Sequence, residues 1–432
     1  MGSTVEWCGT GWTGQPAVVS YSGRTWVIFG AYDGAVHFLD AETGEQILPS
    51  FQTDDLIKGS VTVDPNGYPL IYIGSRDNNF RIIAFDGEEP RELWRMNAYN
   101  VEQLSGNRLY WNDDWDSSAL VIDDYLFEGG ENSSFYIVKH NRSYDDSGLA
   151  RVSPEILHVF PGWDDQLLED IADEEISIES SAAIFKNTLY FANSGGLVQG
   201  WDISGLGSDD SWQPERVFRF WTGGDVDASI VVDEEGMLYV GVERERLGEK
   251  YAKARARTEE VGQIIKLDPS RPDNPVVWSV KDLNPLAANP PDLRTQTGLW
   301  ATPALYGEMI YAATHTGRLL GIDRDTGAIC WEIQLDGFLW GSPVVVDDVL
   351  LQGDVQGALR AYDVSGDAGC EKDAAGEGAE NSTAAISQLG TSQLQPPQLW
   401  SVPLGWRIES TPAVWGGTIF LGDRNGRFYA LK

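Results

Sequence analysis

Short apolar runs separated by turn residues recur along this chain in a constant order. The segment "SPVVVDDVLLQGDVQGALRAYDVSG" from Ser342 has an apolar run, an Asp-Asp turn, a second apolar run, a Gly-Asp-x-x-Gly turn and an alternating strand. The same order begins at Gln15, Thr302 and Thr411, and weaker copies begin near residues 59, 117, 180 and 228. The sequence therefore contains eight repeats of one short β-sheet unit.

Each repeat predicts three or four antiparallel strands joined by tight turns, with no helical periodicity between them. The fourth strand often carries a tryptophan that we expect to pack between neighbouring repeats: Trp94, Trp278, Trp331 or Trp400. Small antiparallel sheets repeated in this way are typical of propeller blades. We therefore predict an all-β fold, an eight-bladed β-propeller of four-stranded antiparallel blades.

The two ends of the chain predict how the ring closes. The last repeat stops at Lys432 after three strands, whereas Val5-Glu6-Trp7 resembles a fourth strand. We predict that this N-terminal strand completes the last blade, which removes an open sheet edge. Residues 1–432 then form a single domain. Longer spacings predict surface insertions near residues 142–175, 243–262 and 366–397; the first contains a short acidic helix, and the second is helix-compatible.

The net charge of the chain disfavours some classes of function. The chain has 31 Lys and Arg residues against 66 Asp and Glu residues, a net charge of −35. This balance argues against nucleic-acid binding, which needs a basic surface. No run approaches the roughly 18 apolar residues of a membrane span. Self-repulsion favours a monomer, and the acidic surface suits an extracellular setting or a cationic partner.

Three cysteines are present, without any CxxC or adjacent pair. We expect either buried, incidental thiols or a single bridge between Cys8 and Cys330. The start Met1-Gly2-Ser3 resembles an expression scar. We therefore expect an exported protein, periplasmic or extracellular, from which the signal has been removed.

Residues at the start of each innermost strand crowd around a propeller axis. Aligning the repeats on the residue three positions before the Pro of Ser-Pro or Thr-Pro places one residue of each repeat there: Thr13, Lys58, Asp116, Glu179, Asp227, Trp300, Trp340 and Glu409. Clustered carboxylates raise one another's pKa unless a cation intervenes. Oxygen ligands without His or Cys favour calcium. We expect either a hydrated acidic funnel with Lys58 as partial counter-charge or a Ca²⁺ held by Asp114, Asp116 and Glu179.

Aromatic and charged side chains at the same end of the axis could hold a ligand. The candidates are Lys58, Trp115, Asp227, Trp300, Trp340 and Glu409. Indole faces and carboxylate oxygens would suit a sugar or a cationic ligand. The Gly- and Asn-rich stretches "FEGGENSSF" and "FANSGGLVQGWD" predict hairpin turns rather than a binding loop.

The phrases "FGAYDGAVHFLDAETGE", "ATHTGRLLGIDRDTGAICWEI" and "LGDRNGRFYALK" resemble the PQQ-like repeat. The resemblance covers nearly the whole chain and implies an eight-bladed propeller, but no particular activity. That family includes quinoprotein dehydrogenases, which bind pyrroloquinoline quinone, and cofactor-free members of the outer-membrane assembly lipoprotein type.

The segment "WNDDWDSS" resembles the Trp-Asp segment of the quinoprotein alcohol dehydrogenases, which makes Asp116 the catalytic base if that alternative holds. The adjacent cysteine pair and the haem motif of many such enzymes are missing from this sequence. We therefore expect a non-catalytic scaffold that binds a small molecule, a carbohydrate or a protein. Its alternatives are a quinone- and metal-dependent dehydrogenase and a carbohydrate-active enzyme. No cofactor is firmly implied, Ca²⁺ is a candidate, and pyrroloquinoline quinone is disfavoured.

Overall fold

The structure is a computed structural model that describes residues 8–10, 14–109, 111–208, 212–246, 248–282, 297–366 and 395–432. It contains eight antiparallel sheets arranged as the blades of a propeller. Seven of them have four strands, and the eighth has three strands within the described residues. The predicted all-β, eight-bladed fold is confirmed.

The strands of blades 1 to 4 follow the chain from the axis outwards. Blade 1 has β1 (Ala17–Tyr21), β2 (Arg24–Gly30), β3 (Ala35–Asp40) and β4 (Gln46–Gln52); blade 2 has β5 (Thr62–Val63), β6 (Leu70–Gly74), β7 (Asn79–Ala84) and β8 (Arg91–Asn97). Blade 3 has β9 (Leu120–Ile122), β10 (Tyr125–Gly129), β11 (Ser134–Lys139) and β14 (Glu155–Pro161), with a side hairpin of β12 (Ser143–Tyr144) and β13 (Ala150–Arg151); blade 4 has β15 (Ala183–Phe185), β16 (Thr188–Phe191), β17 (Leu197–Asp202) and β18 (Glu215–Trp221).

Blades 5 to 8 repeat the same order. Blade 5 has β19 (Val231–Val232), β20 (Leu238–Gly241), β22 (Ile264–Leu267) and β23 (Val276–Val280), beside a ribbon of β21 (Glu243–Arg244) and β24 (Thr297–Gly298); blade 6 has β25 (Ala304–Tyr306), β26 (Met309–Ala313), β27 (Arg318–Asp323) and β28 (Ile329–Gln334). Blade 7 has β29 (Val344–Val346), β30 (Val349–Gly353), β31 (Ala358–Asp363) and β32 (Gln398–Pro403); blade 8 has β33 (Ala413–Trp415), β34 (Thr418–Gly422) and β35 (Phe428–Leu431).

Helices are few and short in the described part of the chain. They are α1 (Val101–Ser105), α2 (Asp165–Ile171) and α3 (Ala252–Val261), with 3₁₀ turns at Ala98–Asn100 and Glu249–Tyr251. The helices α2 and α3 lie within two of the predicted insertions, whereas α1 was not expected. Strand β14 shows that the boundaries predicted near 142–175 were too wide, because it belongs to blade 3. Most of the third predicted insertion lies outside the described residues. No described helix has the length and apolarity that crossing a bilayer requires.

The hydrophobic core lies between the blades. Eight clusters of buried side chains each join two neighbouring blades, and together they cover every blade boundary around the ring. The predicted tryptophans take part, each in the cluster that joins its own blade to the next. For example, the Trp278 indole of blade 5 donates a hydrogen bond to the Arg324 carbonyl of blade 6 at 3.0 Å. Their predicted packing between repeats is confirmed.

In several blades, the second strand ends in a glycine, and the missing side chain lets the connection to the next blade pass close to that strand. A Cβ on Gly30 would lie 2.2 Å from Cγ2 of Ile57, and a Cβ on Gly353 would lie 2.5 Å from Cγ2 of Ile408. Such distances are below any van der Waals contact, so a larger residue would push the connection away. This close approach positions the connections at Ile57 and Ile408 where they reach the axis.

A ring of hydrogen bonds surrounds the axis at the start of the innermost strands. In each of blades 1 to 7, one backbone N–H donates to a hydroxyl of the next blade, at 2.9 to 3.2 Å, through the series Gln15, Ser60, Ser118, Ser181, Ser229, Thr302, Ser342 and Thr411. The ring is completed by the Gln15 side-chain amide, which donates to the Pro412 carbonyl at 2.7 Å. Blades 8 and 1 are therefore joined directly.

The N-terminal segment 8–10 lies against blade 8. The Thr10 N–H donates to the Asp423 carbonyl at 3.1 Å, and the Thr10 side chain lies against Gly422. Ile57 makes the same two kinds of contact with blade 1: its N–H donates to a backbone carbonyl of that blade, and its side chain lies against Gly30. The predicted closing strand at residues 5–7 lies outside the described residues and stays a prediction. Cys8 is a free thiol and Cys330 is disulfide-bonded, so the expected bridge between these two cysteines is wrong.

We predict that Ser118→Ala will lower the free energy of unfolding by about 1–2 kcal/mol, because it leaves the Ser60 N–H without its acceptor. Urea denaturation measures the change. Ser118→Thr is the matched control and is expected to keep most of the stability, since threonine fills the equivalent place at positions 302 and 411. Equal stability of the alanine variant and the wild type would contradict a structural role for the ring.

Candidate functional site

One end of the propeller, here called the connection face, carries the connections between blades and the turns between each second and third strand. On this face, the residue two positions before each ring residue projects towards the axis. Because the ring fixes the backbone, seven of the eight predicted axial residues occupy equivalent places: Lys58, Asp116, Glu179, Asp227, Trp300, Trp340 and Glu409. Thr13 lies outside the described residues.

Lys58 and three carboxyl groups form a compact cluster, here called the lysine cluster. The Lys58 ammonium is paired with the Asp116 carboxylate and lies 4.0 Å from Oε1 of Glu131. Oxygens of Asp116, Glu131 and Glu179 all lie within 4.8 Å of one another. Burial alone would lower the pKa of Lys58, but Asp116 and Glu131 outweigh that effect and raise it. Lys58 is therefore the resident cation of this cluster.

Asp114 does not join Asp116 and Glu179, as the predicted calcium site required. Its carboxylate pairs with Nε of Arg76 at 2.5 Å and accepts a hydrogen bond from Asn112 at 3.1 Å. Burial, and then the nearby Asp116, raise the pKa of Asp114 to about 6. The third carboxylate beside Asp116 and Glu179 is instead Glu131, which the sequence did not mark because its stretch predicted only a hairpin turn.

The pKa values of Glu131 and Glu179 show how this crowding is relieved. Burial is the main cause for both, and neighbouring carboxylates add to it. The pKa of Glu131 is raised well above its usual range, and that of Glu179 rises from 4.5 to about 8. Lys58 opposes both shifts without cancelling them. At neutral pH the lysine cluster therefore holds one lysine charge against Asp116, while Glu131 and Glu179 favour their protonated forms.

A second group of carboxyls, here called the blade 5 cluster, lies at the start and inner turn of blade 5. The backbones of Asp225 and Glu243 form an isolated antiparallel bridge, and the side chains of both residues are almost completely buried. The carboxyl groups of Asp225 and Asp227 lie near enough for each to act on the pKa of the other. Burial raises the pKa of Asp225 and Glu243 well above the usual range and that of Asp227 to about 6.

The remaining axial residues, Trp300, Trp340 and Glu409, each contact another side chain. The ring centroids of Trp300 and Trp340 lie 4.4 Å apart, and the Trp340 indole donates to Nδ1 of His315 at 3.0 Å. Glu409 pairs with Arg424 at 3.2 Å, and that guanidinium lies over the Tyr32 ring. The structure thus brings the predicted acidic and aromatic residues to one end of the axis, where each has side-chain neighbours.

Trp115, the indole next to Asp116, lies in the core between blades 2 and 3. It is completely buried, packs against Phe80 and Tyr136, and donates a hydrogen bond to the Asn78 carbonyl at 3.1 Å. This position offers no surface to a ligand, which corrects its place among the predicted ligand-binding residues. A quinone needs an accessible aromatic face beside its catalytic base. Trp115 and the lysine-paired Asp116 do not provide that arrangement, so the described residues do not fit pyrroloquinoline quinone.

Part of the chain matches a known protein family. Residues 260–395 match the family model described as outer membrane protein assembly factor BamB. The structure of BamB from Moraxella catarrhalis is similar at 12% identity and a TM-score of 0.56, over 96% of this chain and 92% of that chain. The repeats of residues 260–395 are of the PQQ-like type, on a propeller fold that continues around the ring. The resemblance to the PQQ-like repeat is therefore confirmed.

Two further solved structures share the fold of this propeller. The computationally designed protein Ika8 is 10% identical, with a TM-score of 0.58 over 99% of this chain and 96% of that chain. Sqt1 from Saccharomyces cerevisiae is 8% identical, with a TM-score of 0.62 over 98% of this chain and 99% of that chain. At such identities the likeness shows the fold alone. A search of curated protein sequences finds no match.

We predict that Lys58→Met will destabilise the propeller by about 3–5 kcal/mol, because it leaves the buried Asp116 carboxylate unpaired. Thermal and urea unfolding measure the loss. Adding Asp116→Asn should restore most of the stability, since it removes the orphaned charge. Lys250→Met, at a lysine with 60% of its side chain exposed, is the control and should have a smaller effect. Equal losses in the single and double variants would contradict the pairing.

We predict that the free energy of unfolding decreases as pH rises from about 5 to 8. A carboxyl with a raised pKa in the folded state stabilises that state below its ordinary pKa, and this stabilisation is lost as pH rises through the folded value. For Glu179 this window runs from 4.5 to about 8. One such group contributes up to about 1.4 kcal/mol per pH unit.

The variant Glu179→Gln tests this assignment. Its unfolding free energy should vary less with pH than that of the wild type over this window, and the difference between the two should shrink towards pH 5. Glu102→Gln, at an exposed glutamate on α1, is the control and should keep the wild-type profile. A parallel profile for Glu179→Gln would show that this carboxyl does not carry the dependence.

Proposed function

We propose that this propeller is a non-catalytic scaffold that binds a protein partner on its connection face. The observation that carries the proposal is the state of Asp116, the candidate catalytic base. Its carboxylate is buried and paired with Lys58, whose charge persists at any physiological pH. A general base must be free to accept a proton from substrate. Asp116 therefore suits a structural ion pair better than catalysis.

Exposed apolar side chains on the connection face support a partner surface. The connection between blades 2 and 3 exposes 58% of Tyr99, 43% of Leu104 and 54% of Trp111. Asp113, in the same connection, is the main cause of the raised pKa of the Tyr99 hydroxyl, so the two side chains lie close together. Large aromatic side chains presented to solvent from a fixed loop are the usual anchors of protein interfaces.

The backbone at Trp111 adds a second argument. Its φ is +67°, in the left-handed region that bulky residues seldom occupy. Such strain persists where the surrounding structure enforces it, and it is concentrated at functional positions. Here the strained backbone presents an indole that is more than half exposed. The conformation therefore favours display of Trp111 over burial.

Charge indicates the chemistry of the partner. The chain carries a net charge of −35, and the acidic residues Glu102 and Asp113 lie within the same connection as the exposed aromatic side chains. A partner segment that combines apolar residues with Lys or Arg would complement this surface. The family model that matches residues 260–395 describes an assembly factor, a type of protein that works through protein contacts.

Export is part of the proposal. Cys330 is disulfide-bonded, and disulfides persist mainly in oxidising compartments. The matching family model is named for the outer membrane. We propose that the propeller acts in the periplasm or outside the cell, where an acidic scaffold could meet secreted or membrane-bound partners.

We predict that a photo-crosslinking amino acid in place of Trp111 will capture a specific partner in the native host. The matched control is the same replacement of Trp415, whose side chain is 49% exposed near the opposite end of the propeller. The crosslink from position 111 should decrease at least fivefold when Tyr99→Ser is added. The crosslinked segment, identified by mass spectrometry, should be apolar and contain Lys or Arg.

Two outcomes would contradict this function. The first is equal crosslinking at positions 111 and 415, which would show contacts without a preferred face. The second is oxidation of alcohols or sugars by the protein with pyrroloquinoline quinone and Ca²⁺, or cleavage of a polysaccharide, provided that it disappears in Asp116→Asn. We expect neither activity, because Asp116 is committed to Lys58.

A further inference from the structure

The blade 5 cluster differs from the lysine cluster in its charge balance. Within the described residues, no Lys or Arg forms an ion pair with Asp225, Asp227 or Glu243. The Arg246 guanidinium lies near enough to oppose the raised pKa of Asp225 and Glu243, but it pairs with Glu245 at 4.0 Å and donates to the Ser194 carbonyl at 2.8 Å. Three carboxyl groups therefore share one buried place without a directly paired cation.

The backbone aims these side chains at a common space. Asp225 and Glu243 are directly opposite in an antiparallel pair, with N–H to carbonyl distances of 3.0 and 2.7 Å. Residues paired in this way extend to the same side, with Cβ atoms about 5 Å apart. Asp227 follows two positions after Asp225, and its carboxyl lies near enough to raise the pKa of both Asp225 and Glu243. Glu245 follows two positions after Glu243 and acts on the same two pKa values.

The cluster also contains polar atoms that lack partners. Oδ1 of Asp225, Oδ1 of Asp227 and Oε1 of Glu243 are buried and accept no hydrogen bond in the described residues. Asp225 is only 7% exposed, and Glu243 only 1%. Buried carboxyl oxygens normally have donors or a cation, since leaving them bare costs several kcal/mol. These unpartnered oxygens therefore indicate a place where a cation or a hydrogen-bond donor would bind.

We propose that Asp225, Asp227 and Glu243 form a binding site for a divalent cation, with Ca²⁺ as the ion that fits best. Calcium takes six to eight oxygen ligands in flexible geometry, and carboxylates that bind through one or two oxygens can supply several of them, with water completing the shell. The cluster contains no His or Cys, which disfavours transition metals. Glu245, with 34% of its side chain exposed, gives the ion a route from solvent.

This site adjoins the lysine cluster, because Asp227 is the neighbouring carboxylate that acts most strongly on the pKa of Glu179. The two clusters differ in charge balance: Lys58 supplies a positive charge beside Asp116 and Glu131, whereas no cation pairs directly with the blade 5 carboxyls in the described residues. A divalent ion would supply that counter-charge. The site is independent of the proposed scaffold function.

Calorimetric titration of Ca²⁺ into chelator-treated protein tests the site. The wild type should bind one ion and melt at a higher temperature with Ca²⁺. The variants Glu243→Gln and Asp225→Asn should each bind at least tenfold more weakly. Without metal, both should be at least as stable as the wild type, since each removes a buried unpaired carboxyl. A purely structural role would instead lower their melting temperature.

Two control variants locate the ion. Glu128 is another buried glutamate, away from blade 5. One of its carboxyl oxygens accepts a hydrogen bond from Ser117, and the other has no partner. Glu128→Gln should leave Ca²⁺ binding unchanged. Glu131→Gln, in the lysine cluster, should also bind like the wild type. If both blade 5 variants fail to fold, Glu245→Gln on the exposed rim should still weaken binding severalfold.

The proposal is overturned by three results. One is the absence of binding heat in the wild type at millimolar Ca²⁺. Another is wild-type affinity in a folded Glu243→Gln or Asp225→Asn variant, or in Glu245→Gln where neither of those folds. The third is loss of binding in Glu131→Gln with retention in Glu243→Gln, which would place the ion in the lysine cluster. None of these results depends on whether a partner binds at Trp111.

Discussion

In blades 1 to 7 of this propeller, a backbone N–H just before the innermost strand has its hydrogen-bond acceptor outside its own blade. Its acceptor is a hydroxyl in the next blade, and the series returns to its start through the Gln15 side chain and the Pro412 carbonyl. An unpaired N–H in this crowded centre would cost as much as a lost hydrogen bond. The ring therefore fixes the angular position of every blade. It also explains why Ser or Thr recurs at this position.

The same constraint creates the electrostatics of the axis. Because the ring fixes the backbone, the residue two positions earlier has little choice of direction, and the seven such residues that the structure describes converge on one end of the axis. Four of the seven in the described part of the chain are acidic: Asp116, Glu179, Asp227 and Glu409. Like charges brought together under burial must gain protons or cations. The raised pKa values at the axis are thus a consequence of blade geometry.

The repeats predicted the fold because turn glycines, turn aspartates and alternating apolar residues act locally in each blade. The equivalence of seven axial positions also followed from one alignment of the repeats. The partners that hairpin turns supply to them were not predictable in this way. Glu131 reaches Asp116 from a hairpin turn, and Arg424 reaches Glu409 from blade 8 itself. Trp115 belongs to the core because Gly74 leaves room for it, a packing relation that the linear sequence does not display.

Lys58 and Asp227 occupy equivalent positions in different blades, and this single difference divides the axis in two. At blade 2 the position supplies an ammonium group, so the carboxyls of blades 3 and 4 have a counter-charge nearby. At blade 5 it supplies another carboxyl, and the next blade contributes Trp300, which carries no charge. One side chain per blade therefore determines whether the buried carboxyls nearby have a positive counter-charge. A propeller can change what its axis binds at that position without altering the ring that holds its blades together.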